Sequence, residues 1–230
     1  MSDAAPAPPR PSRPIEDALP TAIEVLTDPR GFFASLDREG GYEQPAMFAG
    51  LLLIVHAAIL ALFPLVRFGL LAAIATLMMT PLFGAIGLLI GAAIVLIVSR
   101  ALGGEATFES SFRIVAYSSA ILPALAIATL IPYLPILVQA YAIYLCIIAV
   151  IAVHKVDEQR AWTVIGGIGA VLLVLMLIST MTARRLQPKL EELGEKLERS
   201  AEELGRASDS LQRELDDAEP RPRTAPPPER

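Results

Sequence analysis

Two runs without a charged residue constrain this chain more than any other feature of its sequence. Residues 70–98 form an uncharged run of 29 residues, and residues 114–153 form one of 40. About 20 apolar residues are enough for a helix to cross the hydrocarbon core of a bilayer. The first run therefore holds one spanning helix, which is tilted or has its start in the interface, and the second holds two. No alternating strands of a barrel occur in the sequence, so helices are the only predicted way across.

Two shorter apolar stretches add a first span and a fifth. The first is interrupted only by His56 and Pro64. Pro132 and Pro135 mark the predicted break between the third and fourth spans, because proline removes a helix hydrogen bond. The predicted transmembrane domain covers residues 47–183, with spans at residues 47–66, 74–98, 114–131, 136–153 and 162–182.

The segments that flank this domain differ in composition. Residues 1–14 and 219–230 are rich in proline and are predicted to be disordered tails. Residues 15–46 mix aromatic and charged side chains, which predicts an amphipathic segment on the cytoplasmic side. This segment either lies in the headgroup zone or packs as a short helix against the ends of the bundle.

Residues 184–218 carry a leucine at every seventh position, at Leu190, Leu197, Leu204 and Leu211. Such a seam is typical of a coiled-coil dimer, and it also suits a lone amphipathic helix lying on the membrane or on the bundle. The predicted fold class is therefore all-α. It is an integral membrane bundle of five transmembrane helices with an N-terminal amphipathic segment and a C-terminal amphipathic or coiled-coil helix.

Polar groups inside the spans are few, and each is a candidate because a buried charge is costly in a bilayer. His56 lies in the middle of the first span, and Gln139 lies in the fourth. A metal ion needs three or four ligands, and the only other histidine, His154, follows the fourth span at a membrane edge. His56 and Gln139 are therefore interpreted as hydrogen-bonding links between helices, and no metal or cofactor is predicted.

A polar loop at residues 99–112 separates the second and third spans. Its charged residues, and the arginine that follows it, are expected to be solvated or paired at the interface: Arg100, Glu105, Glu109 and Arg113. Small residues on the second and fifth spans allow close helix approach and are candidate packing positions. These are Gly84, Gly87, Gly91, Gly166 and Gly169.

The spans contain no aspartate pair, no HExxH motif and no GxSxG turn, so the chain is predicted not to be an enzyme. One hypothesis is a non-enzymatic interaction or membrane-organising scaffold. The alternative is a small transporter or channel that uses His56 and helices kinked at Pro81 and Pro123. The expected partners are the lipid bilayer and either other membrane proteins or a second copy bound through the C-terminal helix. No long basic run indicates nucleic acid.

Lysine and arginine in the short loops predict the orientation. With the N-terminus in the cytoplasm, the outer loops hold Arg67 alone, and the inner loops hold Arg100, Arg113, Lys155 and Arg160. Four cations just after the fifth span favour the opposite orientation: Arg184, Arg185, Lys189 and Lys196. A composition rich in alanine, arginine and proline, with few lysines, indicates a bacterium and hence the inner membrane.

Several short motifs are similar to those of a known family. The segment AIEVLTDPRGFF at residues 22–33, followed by two glycines at 40–41, resembles the opening of bacterial members of the Yip family of Ypt-interacting-protein-like membrane proteins. The loop GGEATF at residues 103–108, which leads into Arg113, resembles the central loop of that family. Trp162 at the start of the fifth span fits the same pattern.

The resemblance covers roughly residues 15–181 and implies a five-helix bundle with a cytosolic N-terminus and a C-terminus on the far side. The disputed tail is then expected to be periplasmic or extracellular. Eukaryotic members bind small Rab-type GTPases through an acidic residue followed by Leu-Tyr-Gly-Pro. This signature is missing here, so the resemblance does not predict GTPase binding.

Overall fold

The structure, a computed structural model, describes residues 17–218, apart from the side chains of residues 187, 189–191, 207, 209 and 211–218. Within the described residues every regular element is helical, which confirms the predicted all-α fold. The chain divides into two units between Leu177 and Ile178. The tails predicted at residues 1–14 and 219–230 lie outside the described residues.

Five helices are long and apolar enough to cross a membrane, as the sequence predicts. Two short helices, α1 (Ala18–Thr27) and α2 (Pro29–Ala34), precede the first two spans, α3 (Glu43–Phe68) and α4 (Leu70–Ala101). The third span (Phe108–Ala128) joins α5 (Phe108–Ser118), a 3-10 turn (Ser119–Ile121) and α6 (Leu122–Ala128). The fourth is α7 (Leu134–His154). The fifth (Glu158–Leu186) joins α8 (Glu158–Ala161), a π-helical turn (Trp162–Gly166) and the first part of α9 (Gly167–Ala218).

Several helices begin earlier than the predicted limits. The first span begins at Glu43 and the second at Leu70, each four residues before the limits predicted at residues 47 and 74. An acidic residue in the first turn, such as Glu43, interacts favourably with the helix dipole. The turn between α3 and α4 is Gly69, whose φ of 89° is a conformation that glycine adopts readily.

The third span departs most from the prediction, because it begins at Phe108 and not at residue 114. The predicted polar loop of residues 99–112 shrinks to residues 102–107. A capping box is the reason: the Ser110 N–H donates to the Thr107 hydroxyl (3.1 Å), and the Thr107 N–H donates to the Ser110 hydroxyl (3.1 Å). These bonds satisfy N–H groups that a first helical turn leaves unpaired, so polar residues can start the helix.

Three connections meet at one end of the bundle, called here the loop end: residues 35–42, 102–107 and 155–157. The Arg38 Nη1–H donates to Glu105 (2.8 Å), and the Glu105 N–H donates to the His154 carbonyl (2.8 Å). Successive spans alternate in direction, so Gly69 and the turn at residues 129–133 lie at the opposite end. The break predicted at Pro132 and Pro135 coincides with that turn, since α7 begins at Leu134.

The N-terminal segment packs against the bundle, which is the second of the two predicted alternatives. Val25 and Phe33 are fully buried in the main apolar core. The ring centroids of Phe32 and Tyr117 lie 5.2 Å apart, and the Tyr141 hydroxyl donates to the Leu26 carbonyl (2.5 Å). These contacts join α1 and α2 to the third and fourth spans.

The second unit consists of the later part of α9. Among its described side chains, those after Met181 are exposed. Three ion pairs between residues four apart run along the helix: Glu192 with Lys196, Glu195 with Arg199, and Glu202 with Arg206. Each pair contributes about 0.3 kcal/mol to a helix, so the sequence of this segment favours the helical state.

Candidate functional site

The densest group of polar side chains lies at the loop end, around His154. This side chain is fully buried, although the sequence places it at a membrane edge in a polar loop. Its Nδ1 lies 2.8 Å from the Ser99 hydroxyl, and its Nε2 lies 3.0 Å from the Ser110 hydroxyl. The second, fourth and third spans supply one member each, so a histidine at the end of the fourth span is enclosed by the bundle.

The Ser110 hydroxyl has further partners besides His154. Its oxygen accepts from the Thr107 N–H (3.1 Å) and lies 3.0 Å from the Thr107 hydroxyl, and the hydroxyl also lies within donating distance of the Thr107 carbonyl (3.1 Å). Because a serine hydroxyl both donates and accepts, either tautomer of a neutral imidazole satisfies the contacts of His154 with Ser99 and Ser110. In both tautomers the ring connects three spans.

Gly104 closes the polar cluster of Ser99, Thr107, Ser110 and His154. The Gly104 N–H donates to the Ser99 carbonyl (2.8 Å). A Cβ atom at this position would stand 3.0 Å from the carbonyl oxygens of both Ser99 and His154. Backbone atoms cannot yield as the end of a side chain can, so only glycine allows residues 102–107 to lie this close to the cluster.

A second set of contacts holds the chain just before the first span. Gly40 and Gly41 have φ values of 144° and 82°, and their N–H groups both donate to Glu109 (2.8 and 2.7 Å). Arg113, one turn further along α5, donates from Nη1 to the Gly41 carbonyl (3.1 Å). Successive N–H groups in such a turn form a nest for an anion, which here is the Glu109 carboxylate.

Arg113 is buried, with 6% of its surface exposed, whereas the sequence predicts a solvated or interfacial side chain. Its Nε has no partner among the described residues. The burial follows from the early start of α5, which turns the position of Arg113 toward the segment 39–42. Arg100 and Glu105 are exposed, as expected for interfacial charges, and Glu109 is half-buried.

Arg38 and Glu105 form the most direct ion pair of the loop end (2.8 Å), and Lys155 lies 3.9 Å from the same carboxylate. The hydrogen bond from Arg38, and then the nearby charges of Lys155 and Arg38, lower the pKa of Glu105 below its usual value. Two clefts flank Arg38, with volumes of about 410 and 550 Å³. Among the side chains that the structure describes, no three from His, Cys, Asp or Glu lie close enough to share a metal ion.

A comparison with protein-family models gives one match, to the Yip1 domain, over residues 23–180. That is more than half of the chain. The chain belongs to the Yip1 family. The family resemblance predicted from the sequence is thereby confirmed, and the chain is a multi-pass membrane protein of that family. No curated protein and no solved structure gave a match.

The Yip1 domain includes the whole loop end and stops before the leucine seam. Every residue of the polar cluster lies within residues 23–180. So do the Gly40–Gly41 turn and its contacts with α5. The seam from Leu190 onward lies beyond the match. The polar cluster and the leucine seam therefore lie on opposite sides of the C-terminal limit of the Yip1 domain.

The predicted polar residues of the Yip1 domain do not meet in one site. His56 is half-buried and lies in the first span, where its Nδ1–H donates to the Leu122 carbonyl of the third span (2.7 Å). Gln139 is half-buried and has no side-chain hydrogen bond to another described residue. Neither belongs to the polar cluster at the loop end.

The predicted packing glycines differ in how closely another helix approaches them. A side chain at Gly84 would collide with Leu53 of α3, and one at Gly169 would stand 2.6 Å from Ile143 of α7. Gly91 faces Val115 at 3.3 Å. Gly166 has only ordinary contact distances, of 3.8 Å to Ile147, and Gly87 faces open space.

Sequence reasoning missed Ser99, Ser110 and His154 as a group. Their signal was partly present: Ser99 and His154 directly follow uncharged runs, and Ser110 lies four residues before the start of one. Because successive spans alternate in direction, these run ends lie at the same end of a bundle. The coiled-coil leucines are only partly described: Leu197 and Leu204 are each 72% exposed. The side chains of Leu190 and Leu211 lie outside the described residues.

Proposed function

We propose that this protein is a non-enzymatic membrane-organising scaffold that self-associates through the C-terminal part of α9. The Yip1 domain anchors it in the bilayer, and the helix beyond residue 184 carries the contact surface. The observation that carries the proposal is the exposure of Leu197 and Leu204, at 72% each, on a helix that also carries ion pairs between its own residues, such as Glu195 with Arg199 and Glu202 with Arg206.

The proposed occupant of this leucine seam is a second copy of the chain. Anchoring in one membrane gives every copy the same orientation, so two such helices meet in parallel and in register. A leucine repeat of seven residues is then self-complementary, since each leucine faces its own counterpart. Leu193 is exposed as well and lies at a neighbouring position of the same seam.

The proposed location is the bacterial inner membrane, with the N-terminus in the cytoplasm and the C-terminus outside it. The excess of Lys and Arg in the predicted inner loops supports this orientation. The family membership supports the membrane location. GTPase binding is not part of the proposal, because the signature that would support it is missing from the sequence.

The test is the oligomeric state of the full chain, measured by single-molecule photobleaching of a fluorescent fusion in native-membrane nanodiscs. We expect a dimer for the wild type and a monomer for the double variant Leu197→Ser/Leu204→Ser. The matched control replaces two exposed residues beside the seam, Glu198→Ser and Glu203→Ser, and should stay dimeric. A wild-type chain that is monomeric at all densities would contradict the proposal.

The alternative function, transport through the bundle, depends on His56. Its hydrogen bond to the Leu122 carbonyl supports a structural role, because the bond keeps the ring in one orientation between two helices. A proton-leak assay in liposomes separates the two functions. Under the scaffold proposal the wild type and His56→Ala give the same low leak, whereas a leak that His56→Ala abolishes would favour transport.

A further inference from the structure

The contacts of Arg38 with the rest of the protein satisfy only part of its guanidinium group. Its side chain is one-third exposed, and Nη1 donates to Glu105 (2.8 Å). Nη2, by contrast, is buried and has no hydrogen-bond partner among the described residues. A buried guanidinium N–H without an acceptor is unfavourable, so this atom indicates an acceptor that the chain itself does not supply.

The cleft of about 410 Å³ places further polar groups beside Arg38. Arg100, Glu39 and Thr107 line it together with Glu105. Arg100 is exposed and donates from Nε to the Ala106 carbonyl (3.0 Å). Its two terminal nitrogens make no bond to another described residue. The cleft thus offers N–H donors from two guanidinium groups, the kind of donor that recognises a phosphate with defined geometry.

The cleft also contains acidic groups, and these restrict the ligand. Glu105 is already paired with Arg38 and Lys155. Glu39 is exposed and has no ion-pair partner among the described residues. A purely anionic ligand on the arginines would be repelled by Glu39. A ligand that carries a phosphate and an ammonium group matches both signs of charge.

The neighbouring cleft, of about 550 Å³, shares Arg38 and Glu39 and has an apolar wall. Its half-buried apolar residues are Leu36 and Ala152, beside the buried side chains of Phe33 and Val153. The charged side chains of Asp37 and Lys155 line the same cleft. A polar cleft joined to an apolar one at the end of a spanning helix matches an amphiphile that lies at the membrane interface. A soluble phosphate ester would leave the apolar wall uncovered.

We propose that the two clefts around Arg38 bind a membrane phospholipid with a phosphoethanolamine headgroup. The phosphate accepts hydrogen bonds from Arg38 Nη2 and from Arg100, and the primary ammonium donates to Glu39. The glycerol and the first methylene groups lie against Leu36 and Ala152, the half-buried apolar residues of the second cleft. This site is independent of the leucine seam proposed above, because it lies within the Yip1 domain and the seam lies beyond it.

The experiment is native mass spectrometry of the full chain, freed of bound lipid in detergent and titrated with lipids of identical acyl chains. We expect the phosphoethanolamine lipid to bind about tenfold more tightly than the phosphocholine lipid, whose quaternary ammonium cannot donate to Glu39. Arg38→Gln should weaken phosphoethanolamine binding about tenfold or more. Arg30→Gln is the matched control, because Arg30 is exposed and lines neither cleft.

Two further variants keep the test decisive if Arg38→Gln fails to fold. Arg100→Gln removes a donor from an exposed side chain and should also weaken binding, by about tenfold. Glu39→Gln should abolish the preference over an anionic phosphoglycerol lipid. Equal binding of the three lipids by the wild type would overturn the proposal. So would competition by soluble glycerophosphoethanolamine at the concentration of the lipid itself, because the ligand would then be a soluble ester.

Discussion

At the residue scale, His154 is the side chain on which the loop end depends most. It is fully buried, and both ring nitrogens bond to serine hydroxyls from other spans. His56 makes one interhelical bond from a half-buried position. The sequence alone ranks these two histidines the other way, because His56 stands in the middle of an apolar run and His154 stands beside charges. The position of a histidine along the chain does not predict whether the folded bundle buries its side chain.

Replacing the two histidines by alanine should therefore have unequal effects on stability. His154→Ala removes the imidazole partner of the Ser99 hydroxyl and one of the contacts of Ser110, and it creates a cavity, so we expect a loss of about 3 kcal/mol. His56→Ala should cost about 1 kcal/mol. Denaturant unfolding in a fixed detergent measures both changes. Equal losses for the two variants would contradict the assignment of His154 as the central residue.

The decrease in stability at acid pH should depend on the ion pair of Glu105. Because the folded pKa of Glu105 lies below its ordinary value of 4.5, its contribution is present above that value. The contribution is lost as the pH falls through the folded pKa. The unfolding temperature of the wild type should exceed that of Glu105→Gln at pH 7, and the gap should shrink as the pH is lowered below 4.5. A gap that stays constant would show that the charge of Glu105 is not responsible.

At the scale of elements, the sequence predicts that five spans exist but does not predict the residue at which every helix begins. The uncharged runs predicted all five spans, because only apolar side chains are stable along the full length of a spanning helix. They could not predict that α5 begins at Phe108, since its first turn is polar and depends on the local bonds of Thr107 and Ser110. Those bonds also direct Glu109 and Arg113 toward Gly40 and Gly41.

The glycines of α4 give a matched comparison of close and open positions on one element. Gly84→Ala would press against Leu53 of α3, whereas Gly87→Ala meets no atom within 4 Å. We expect Gly84→Ala to destabilise the protein by about 1–2 kcal/mol. Gly87→Ala should be neutral or up to about 1 kcal/mol stabilising, because alanine is the better helix former. Unfolding in detergent measures both, and the reverse order would be evidence against the α3–α4 approach described above.

At the scale of the whole molecule, five spans are an odd number, so the two ends of the chain are expected on opposite sides of the membrane. The lysines and arginines of the short loops predict a cytoplasmic N-terminus. A reporter that is active only in the periplasm should therefore work when fused after Arg230 and fail when fused before Met1. Activity of a cytoplasm-specific reporter at the C-terminus would contradict this orientation.

The family, the number of spans and the all-α class were predictable at this scale, because each depends on composition and short motifs. The contents of the loop end were not, because they depend on contacts between distant segments. Arg38 and Glu105 stand 67 positions apart, and His154 and Ser99 stand 55 apart. No local pattern encodes such pairs.

The separation between the N-terminal segment and its partners has a consequence for biogenesis. Leu26 bonds to Tyr141, which follows it by 115 positions, and Gly40 bonds to Glu109, 69 positions later. Translation at about 5–20 residues per second delays Tyr141 by roughly 6–23 seconds after Leu26 is made. During that time α1 and α2 lack the surface of the fourth span. They can pack in their final position only after that span has entered the membrane. The nascent chain therefore offers an apolar N-terminal segment to chaperones or lipids for most of its insertion.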